Sequence, residues 1–349
     1  MNYIDLKKYL MNHQFIWLIT GVAGFIGSHL METLLSMNQK VVGIDNFSTG
    51  YKHNIDEVLK TISSQYIKNF TFYKGDICSF EKCNKVVQGV DYVLHQAALG
   101  SVPRSINDPV ATNEVNVGGF INVLTAAKNH NVKRFVYASS SSVYGDSQVL
   151  PKVETNIGNQ LSPYAVSKYT NEFYAKVFSH CYGIETIGLR YFNVFGSRQD
   201  HNGAYAALIP LWIKAILYKN PVYINGDGET TRDFCYIKDI VQANILAALT
   251  DNPDAINAVY NIAFGEQITL NKLFEFIHST LKLSEDYKPK YRDFRIGDIR
   301  HSLADINRAK IQLNYDPQYD VKSGLSIVIS QLSSHKIHNF IKPHIKPRA

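Results

Sequence analysis

Cysteine is scarce in this chain: Cys78, Cys83, Cys181 and Cys235 are the four in 349 residues. They form neither a CxxC metal pair nor a disulfide framework. Charge is sparse as well, at 19% of residues, and no apolar run approaches the roughly 20 residues of a membrane-spanning helix. The longest such run near the start is Phe15–Thr20, and residues 1–14 carry Asp5, Lys7 and Lys8 without a secretory apolar core. Acids stop at Asp320, beyond which stand Lys322, Lys336, Lys342, Lys346 and Arg348. Taking those five from the net charge of +6 leaves +1 for residues 1–320. A basic stripe for nucleic acid is therefore not expected in the body, and the basic tail reads as solvated. Against these absences stand 45% hydrophobic residues, with 22 Tyr and 18 Phe, enough for full cores without staples. The length allows two domains at about 150 residues each. The chain reads as a soluble, cytoplasmic, globular protein with no metal site.

Short apolar runs set the organisation. Phe15–Thr20 reads as a strand buried on both faces, and Ser28–Ser36 patterns as a helix with Leu30, Leu34 and Leu35 inward. Lys40–Asp45 then closes a βαβ unit of about 30 residues. Further strands are expected at Phe70–Tyr73, Tyr92–His95, Phe135–Ala138 and Thr186–Leu189, with helices at Gly118–Asn129 and Ser162–Tyr182 between them. That alternation predicts an α/β protein with a Rossmann-type, doubly wound parallel sheet. Past Asn193 the rhythm loosens, and a smaller C-terminal substrate-binding domain is expected. The division reads as residues 1–193, with a returning segment near 234–263, and residues 194–349.

Gly21, Gly24 and Gly27 lie between the first strand and its helix, in the spacing GxxGxxG. The first glycine suits a tight turn, the second lets backbone approach a pyrophosphate, and the third lets helix pack on strand. The helix N-terminus adds free N–H groups and a positive dipole end. Asp45 ends the next strand 18 residues beyond Gly27, where a carboxylate can accept hydrogen bonds from the adenosine ribose. A carboxylate there repels a 2′-phosphate, so the expected cofactor is NAD. Phe25 and Ile26 in the loop and Asn46 beside Asp45 belong to the same expected site, and Asp76-Ile77 is a candidate adenine contact.

A serine run, Ser139–Ser142, follows the strand at Phe135–Ala138, and Tyr164 and Lys168 sit at i and i+4 near the start of a helix. That spacing puts both on one helix face. An ammonium near a phenol stabilises the phenolate, so such a tyrosine can take a carbinol proton while hydride leaves for NAD. A serine hydroxyl can hold the same oxygen.

With these residues in view, the chain resembles an extended short-chain dehydrogenase/reductase, and within that family the UDP-hexose 4-epimerases. The resemblance runs from about Trp17 to Asp305 through the glycine loop, Asp76-Ile77, His95-Gln96-Ala97-Ala98, Ser139–Gly145, Tyr164/Lys168 and Arg190–Asn193. It continues at Gly226–Phe234 and Arg295-Ile-Gly-Asp298. It implies Ser140, Tyr164 and Lys168 as the catalytic set, with Tyr164 and Lys168 also meeting the cofactor beside Gln96, Ala97 and Ala98. It assigns Asn193, Arg232 and Arg295 to the nucleotide diphosphate, and Ser141, Ser142 and Asp298 to the substrate side. It implies transient oxidation at C4 by tightly held NAD, a 4-keto sugar that turns over, and a homodimer. Related sugar-nucleotide dehydratases carry Asp-Glu where this chain has Ser141-Ser142, and decarboxylases keep a glutamate there. Elimination thus lacks its acid, which favours an epimerase over a dehydratase, with a sugar-nucleotide dehydratase/reductase as the more remote alternative.

The sugar is indicated by two further resemblances. Gly100, Ser101 and Arg104 resemble the segment of epimerases that prefer N-acetylated or uronic UDP-hexoses. Ser302 stands where epimerases restricted to plain hexoses have a tyrosine, leaving room for a C2 acetamido group. The expectation is interconversion of UDP-N-acetylglucosamine and UDP-N-acetylgalactosamine for surface polysaccharide synthesis. UDP-N-acetylhexosaminuronic acids or UDP-glucose are the alternatives.

Overall fold

A computed structural model describes residues 1–200, 207–294 and 299–333. Seven strands form one sheet: β1 (Ile16–Thr20), β2 (Lys40–Asp45), β3 (Phe70–Lys74), β4 (Tyr92–His95), β5 (Arg134–Ser140), β6 (Thr186–Tyr191) and β7 (Ala258–Ile262). Their order is β3-β2-β1-β4-β5-β6-β7, and every neighbouring pair is parallel. Every residue of β5 and β6 is buried, as continuous apolar strands between two helical layers require. On one face pack the glycine-loop helix (Phe25–Ser36) and Ile237–Leu249; on the other pack Phe120–Asn129 and Pro163–Tyr182. The order in which strands are added reverses between β1 and β4, which opens a crevice at the carboxyl ends of the strands.

The six expected strands are all present within two residues of their anticipated ends. The long helix Pro163–Tyr182 starts where Ser162 Oγ accepts from Ala165 N at 3.2 Å, with Pro163 in its first turn, and stops at Gly183 with φ +72°. Among the elements not anticipated are the seventh strand, β7, and two helical segments. Helix Tyr3–Asn12 precedes β1. A π-helical turn, Glu114–Gly119, leads into Phe120–Asn129, so that the α-helix begins two residues later than expected. Past Asn193 the chain builds short ladders and helices, then returns to the sheet through Ile237–Leu249 and β7. Among the described residues no helix is long and apolar enough to cross a membrane. All four cysteines are free.

Candidate active site

The glycine loop has no space for side chains. Gly21 has φ +70° and donates N–H to Ile44 O at 2.9 Å, and a Cβ there would lie 2.9 Å from the Ala97 backbone. A Cβ on Gly27 would lie 2.1 Å from Gly21 O, so strand turn and helix are in direct backbone contact. Above them opens a cleft of about 290 Å³. Its walls include Gly21, Gly24, Phe25, Ile26, Gly27, Asp45, Asn46, Asp76, Ile77, Gln96, Ala97 and Ala98. Gly100, expected on the sugar side, is also on this wall. Ser48, Thr49 and Gly50 line the cleft without having been anticipated. Their segment is stitched to the loop by Tyr51 N donating to Ala23 O at 3.0 Å and Asn54 Nδ2 donating to the same oxygen at 2.8 Å. The small residues Ser48, Thr49 and Gly50, shortly after Asp45, were the available signal.

Asp45 is buried, and its two oxygens accept from Ala23 N at 2.9 Å and Phe47 N at 2.8 Å. Burial pushes its carboxyl up, and those two N–H groups oppose the shift. The carboxylate therefore ties β2 to the glycine loop while facing the cleft. Asn46 Nδ2 donates to Asp76 Oδ2 at 2.7 Å, joining the ends of β2 and β3. Gly24 caps the glycine-loop helix without a side chain on its first N–H groups. A side-chain-free cradle, an uncapped helix N-terminus and an acid at the next strand end fit a dinucleotide.

The structure brings Ser140, Tyr164 and Lys168 together at the mouth of the sheet. Ser140 ends β5, and its Oγ accepts from Ser142 N at 3.1 Å and Ser142 Oγ at 2.9 Å. The Tyr164 phenol is buried, which pushes it up, and the neighbouring Ser140 hydroxyl opposes that shift. Lys168 Nζ donates to Ala138 O at 2.8 Å and lies 5.9 Å from the Tyr164 ring centre. Burial pushes this ammonium down to about 8. His95 lies nearby on β4, its Nδ1 3.0 Å from Thr20 Oγ1, and burial with the Lys168 charge pushes it down to about 3. The imidazole is neutral and packs between Phe120 and Phe135.

A second cleft, of about 320 Å³, is walled by Asn193 and Arg232 together with Trp212, Tyr223 and Gln199. Asn193 (φ +30°) donates from Nδ2 to Asp233 O at 2.9 Å. Asp233 turns inward, its carboxylate accepting from Gly265 N and Ala304 N. Burial pushes it up to about 7. Ser302 sits in a stretch held on both sides, by Thr231 N donating to Arg300 O and Lys152 N donating to Leu303 O. Ser101 caps the short helix Val102–Asn107, which carries Arg104. Ser141 and Ser142 open the turn after Ser140. Arg295 and Asp298 lie outside the described residues, as does the basic tail from Lys336 on.

Residues 17–263 match the family model described as the NAD dependent epimerase/dehydratase family. The chain belongs to this family. The UDP-glucose 4-epimerase of Mycolicibacterium smegmatis is 32% identical over 311 residues, covering 88% of this chain and 96% of that protein. A UDP-N-acetylglucosamine 4-epimerase from Methanobrevibacter ruminantium, solved with UDP-N-acetylmuramic acid, is 40% identical with a TM-score of 0.84, over 92% of this chain and 99% of that one. The UDP-glucuronic acid 4-epimerase of Bacillus cereus, solved with UDP-glucuronic acid and NAD, is 31% identical with a TM-score of 0.80, over 91% and 99%. This family member is thus an NAD-dependent enzyme, as its glycine loop and strand-end acid implied.

Proposed function

We propose that this enzyme is a UDP-sugar 4-epimerase whose preferred pair is UDP-N-acetylglucosamine and UDP-N-acetylgalactosamine. The observation that carries the chemistry is the Ser140–Tyr164 hydroxyl contact over the buried Lys168, with serines and no carboxyl at 141 and 142. When bound, NAD would supply a reversible hydride acceptor at C4, which would allow a 4-keto sugar to form and be reduced on its other face. Tyr164 takes the proton of the C4 hydroxyl and returns it, while Ser140 holds the same oxygen. Lys168, a cation close to the ring, favours the phenolate. Asn193 and Arg232, with Arg295, hold the diphosphate so that the sugar turns over without leaving; a guanidinium fork suits phosphate oxygens. Residues 1–193 with 234–263 carry NAD, and most of 194–349 carries the UDP-sugar.

Two observations support the N-acetyl preference: the small Ser302, and the similarity to an epimerase solved with an N-acetylated UDP-sugar. We also propose a cytoplasmic homodimer. Val166, Phe173 and Val177 form an exposed apolar stripe on the long helix, beside exposed Ile106 and Val110 on the helices packed against it. A second copy of the same stripe is the complement.

The test is product analysis with purified enzyme, no added cofactor, and UDP-GlcNAc, UDP-GlcNAcA and UDP-Glc in parallel. Fastest conversion of UDP-GlcNAc to its C4 epimer is expected. Fastest conversion of the uronic acid or of UDP-Glc would replace the sugar and keep the mechanism; a 4-keto product would overturn the epimerase reading. In the same assay Ser302→Tyr should suppress the N-acetylated sugar at least about tenfold relative to UDP-Glc, the scale of a steric clash in a sugar pocket. Equal loss on both sugars would show that Ser302 does not gate the pocket. Asp45→Ala should weaken NAD retention about tenfold or more, since hydrogen bonds to a charged group contribute about 1.5–3 kcal/mol. The NAD released on denaturing the purified protein reads this, and wild-type content would refute the ribose role.

A further inference from the structure

Beneath the candidate catalytic set lies a buried ion pair that the chemistry above does not use. Glu172 and Arg190 are both buried, and they pair twice: Arg190 Nε donates to Glu172 Oε1 at 2.9 Å and Nη2 to Oε2 at 2.7 Å. Two fully desolvated charges in a protein core need a reason beyond stability, because apolar replacements often serve as well. Their placement suggests one. Glu172 is on the helix of Tyr164 and Lys168, one turn beyond Lys168 and on the same face. Its Oε1 also accepts from Ser139 Oγ at 2.5 Å, and Ser139 directly precedes Ser140. The end of β5 is therefore clamped to the helix by two successive rungs, Lys168 to Ala138 O and Ser139 to Glu172.

Arg190 fixes the acid in turn. Its Nη1 donates to Tyr144 Oη at 3.0 Å and Glu154 O at 3.0 Å, and Tyr144 Oη donates to Asn261 Oδ1 at 2.6 Å. The clamp is thus anchored to β6, β7 and the turn after β5 rather than left to side-chain packing alone.

We propose that Glu172, fixed by Arg190 and holding Ser139, is a positioning residue that sets the distance between the Ser140 and Tyr164 hydroxyls. This deepens the epimerase reading and rests on it for its kinetic consequence. Removing either charge would strand the other in the core, so Ser139 is the position to change. Its loss opens one rung and leaves the ion pair whole. The titratable groups packed around the clamp and Lys168 are Glu172 on the helix, Arg190 on β6, His95 on β4, and Tyr137 and Tyr144 from β5 and its turn. None of them is changed by Ser139→Ala.

The experiment uses the full-length, NAD-loaded enzyme. The Tyr164 phenol is titrated by ultraviolet difference against Tyr164→Phe, in wild-type and Ser139→Ala backgrounds, with kcat and KM measured on the UDP-sugar that the wild type converts. A looser Ser140 contact withdraws the hydrogen bond that favours the phenolate, so the phenol midpoint should move up in Ser139→Ala. The acid limb of the kcat profile should follow it, kcat should fall about tenfold and KM should hold. Ser139→Thr, which restores a hydroxyl, should recover most of kcat. An unmoved phenol midpoint would overturn the proposal, as would a fall in kcat that Ser139→Thr leaves unrepaired. The titration does not depend on turnover, so it decides the positioning role even should the wild type prove not to epimerise any of these sugars.

Discussion

Tyr164→Phe is expected to lower kcat by about three orders of magnitude, near the centre of the range for a positioned general acid–base. That factor corresponds to about 4 kcal/mol of lost transition-state stabilisation. Binding of UDP-sugar and NAD should stay nearly unchanged, for structural reasons. The phenyl ring keeps its volume and its place beside Lys168, whose Nζ remains bound to Ala138 O. Ser140 Oγ keeps both of its hydrogen bonds, from Ser142 N and Ser142 Oγ. What disappears is the ionisable oxygen whose titration Ser140 influences. Initial rates of epimer formation, read with UDP-sugar affinity and NAD content on the same preparation, separate this from misfolding. A kcat within about tenfold of wild type would mean that another group takes the C4 proton.

The pH dependence has a defined sign. Lys168 titrates near 8, lowered by burial, so its ammonium is charged below that value and neutral above it. Its charge favours the phenolate, and that support fades as pH rises through 8, while the phenol itself ionises more readily with rising pH. The two trends oppose each other. A variant lacking the ammonium should therefore show its acid limb displaced to higher pH.

Much of this site was legible in the chain because its parts are local. A buried strand, three glycines at fixed spacing and an acid at the next strand end occupy residues 16–45, and one βαβ unit brings them together. Tyr164 and Lys168 are one helical turn apart, so their pairing needs no tertiary information. The rest depended on contacts distant in sequence. Helix Tyr3–Asn12 buries only Leu6 and Leu10, too weak a stripe to stand out, and is held by Gln39 Nε2 donating to Leu10 O and His13 O. Arg190 was visible as part of a motif, yet its partners Glu172, Tyr144 and Glu154 become neighbours only when β5, β6 and the long helix close on one another. Asp233, next to Arg232, accepts from the backbone N–H groups of residues 265 and 304, partners that only the folded chain supplies.

Gly27→Ala is the other substitution expected to have a large effect, and two opposing terms decide it. Gly27 is helical, and helix propensity alone would make alanine better by about 1 kcal/mol. The added methyl, however, would stand 2.1 Å from Gly21 O, 2.8 Å from Gly21 C and 2.9 Å from Val22 Cα. All three are backbone atoms, so no side chain can rotate away. The loop would have to retreat, although it is tied down by Gly21 N to Ile44 O, Gly24 N to Gly21 O and Ala23 N to Asp45 Oδ2. Overpacking against fixed backbone costs about 3 kcal/mol or more, which overwhelms the propensity gain. Thermal unfolding should show that loss, and NAD retained through purification should fall well below wild type. Gly118→Ala is the control: nothing lies within 4 Å of a Cβ there, so the same change in composition meets open space. Loss of NAD at 27 with retention at 118 would identify close backbone approach at the glycine loop as the feature that holds the cofactor. Wild-type NAD content in Gly27→Ala would mean that the cleft above this loop is not where NAD is held.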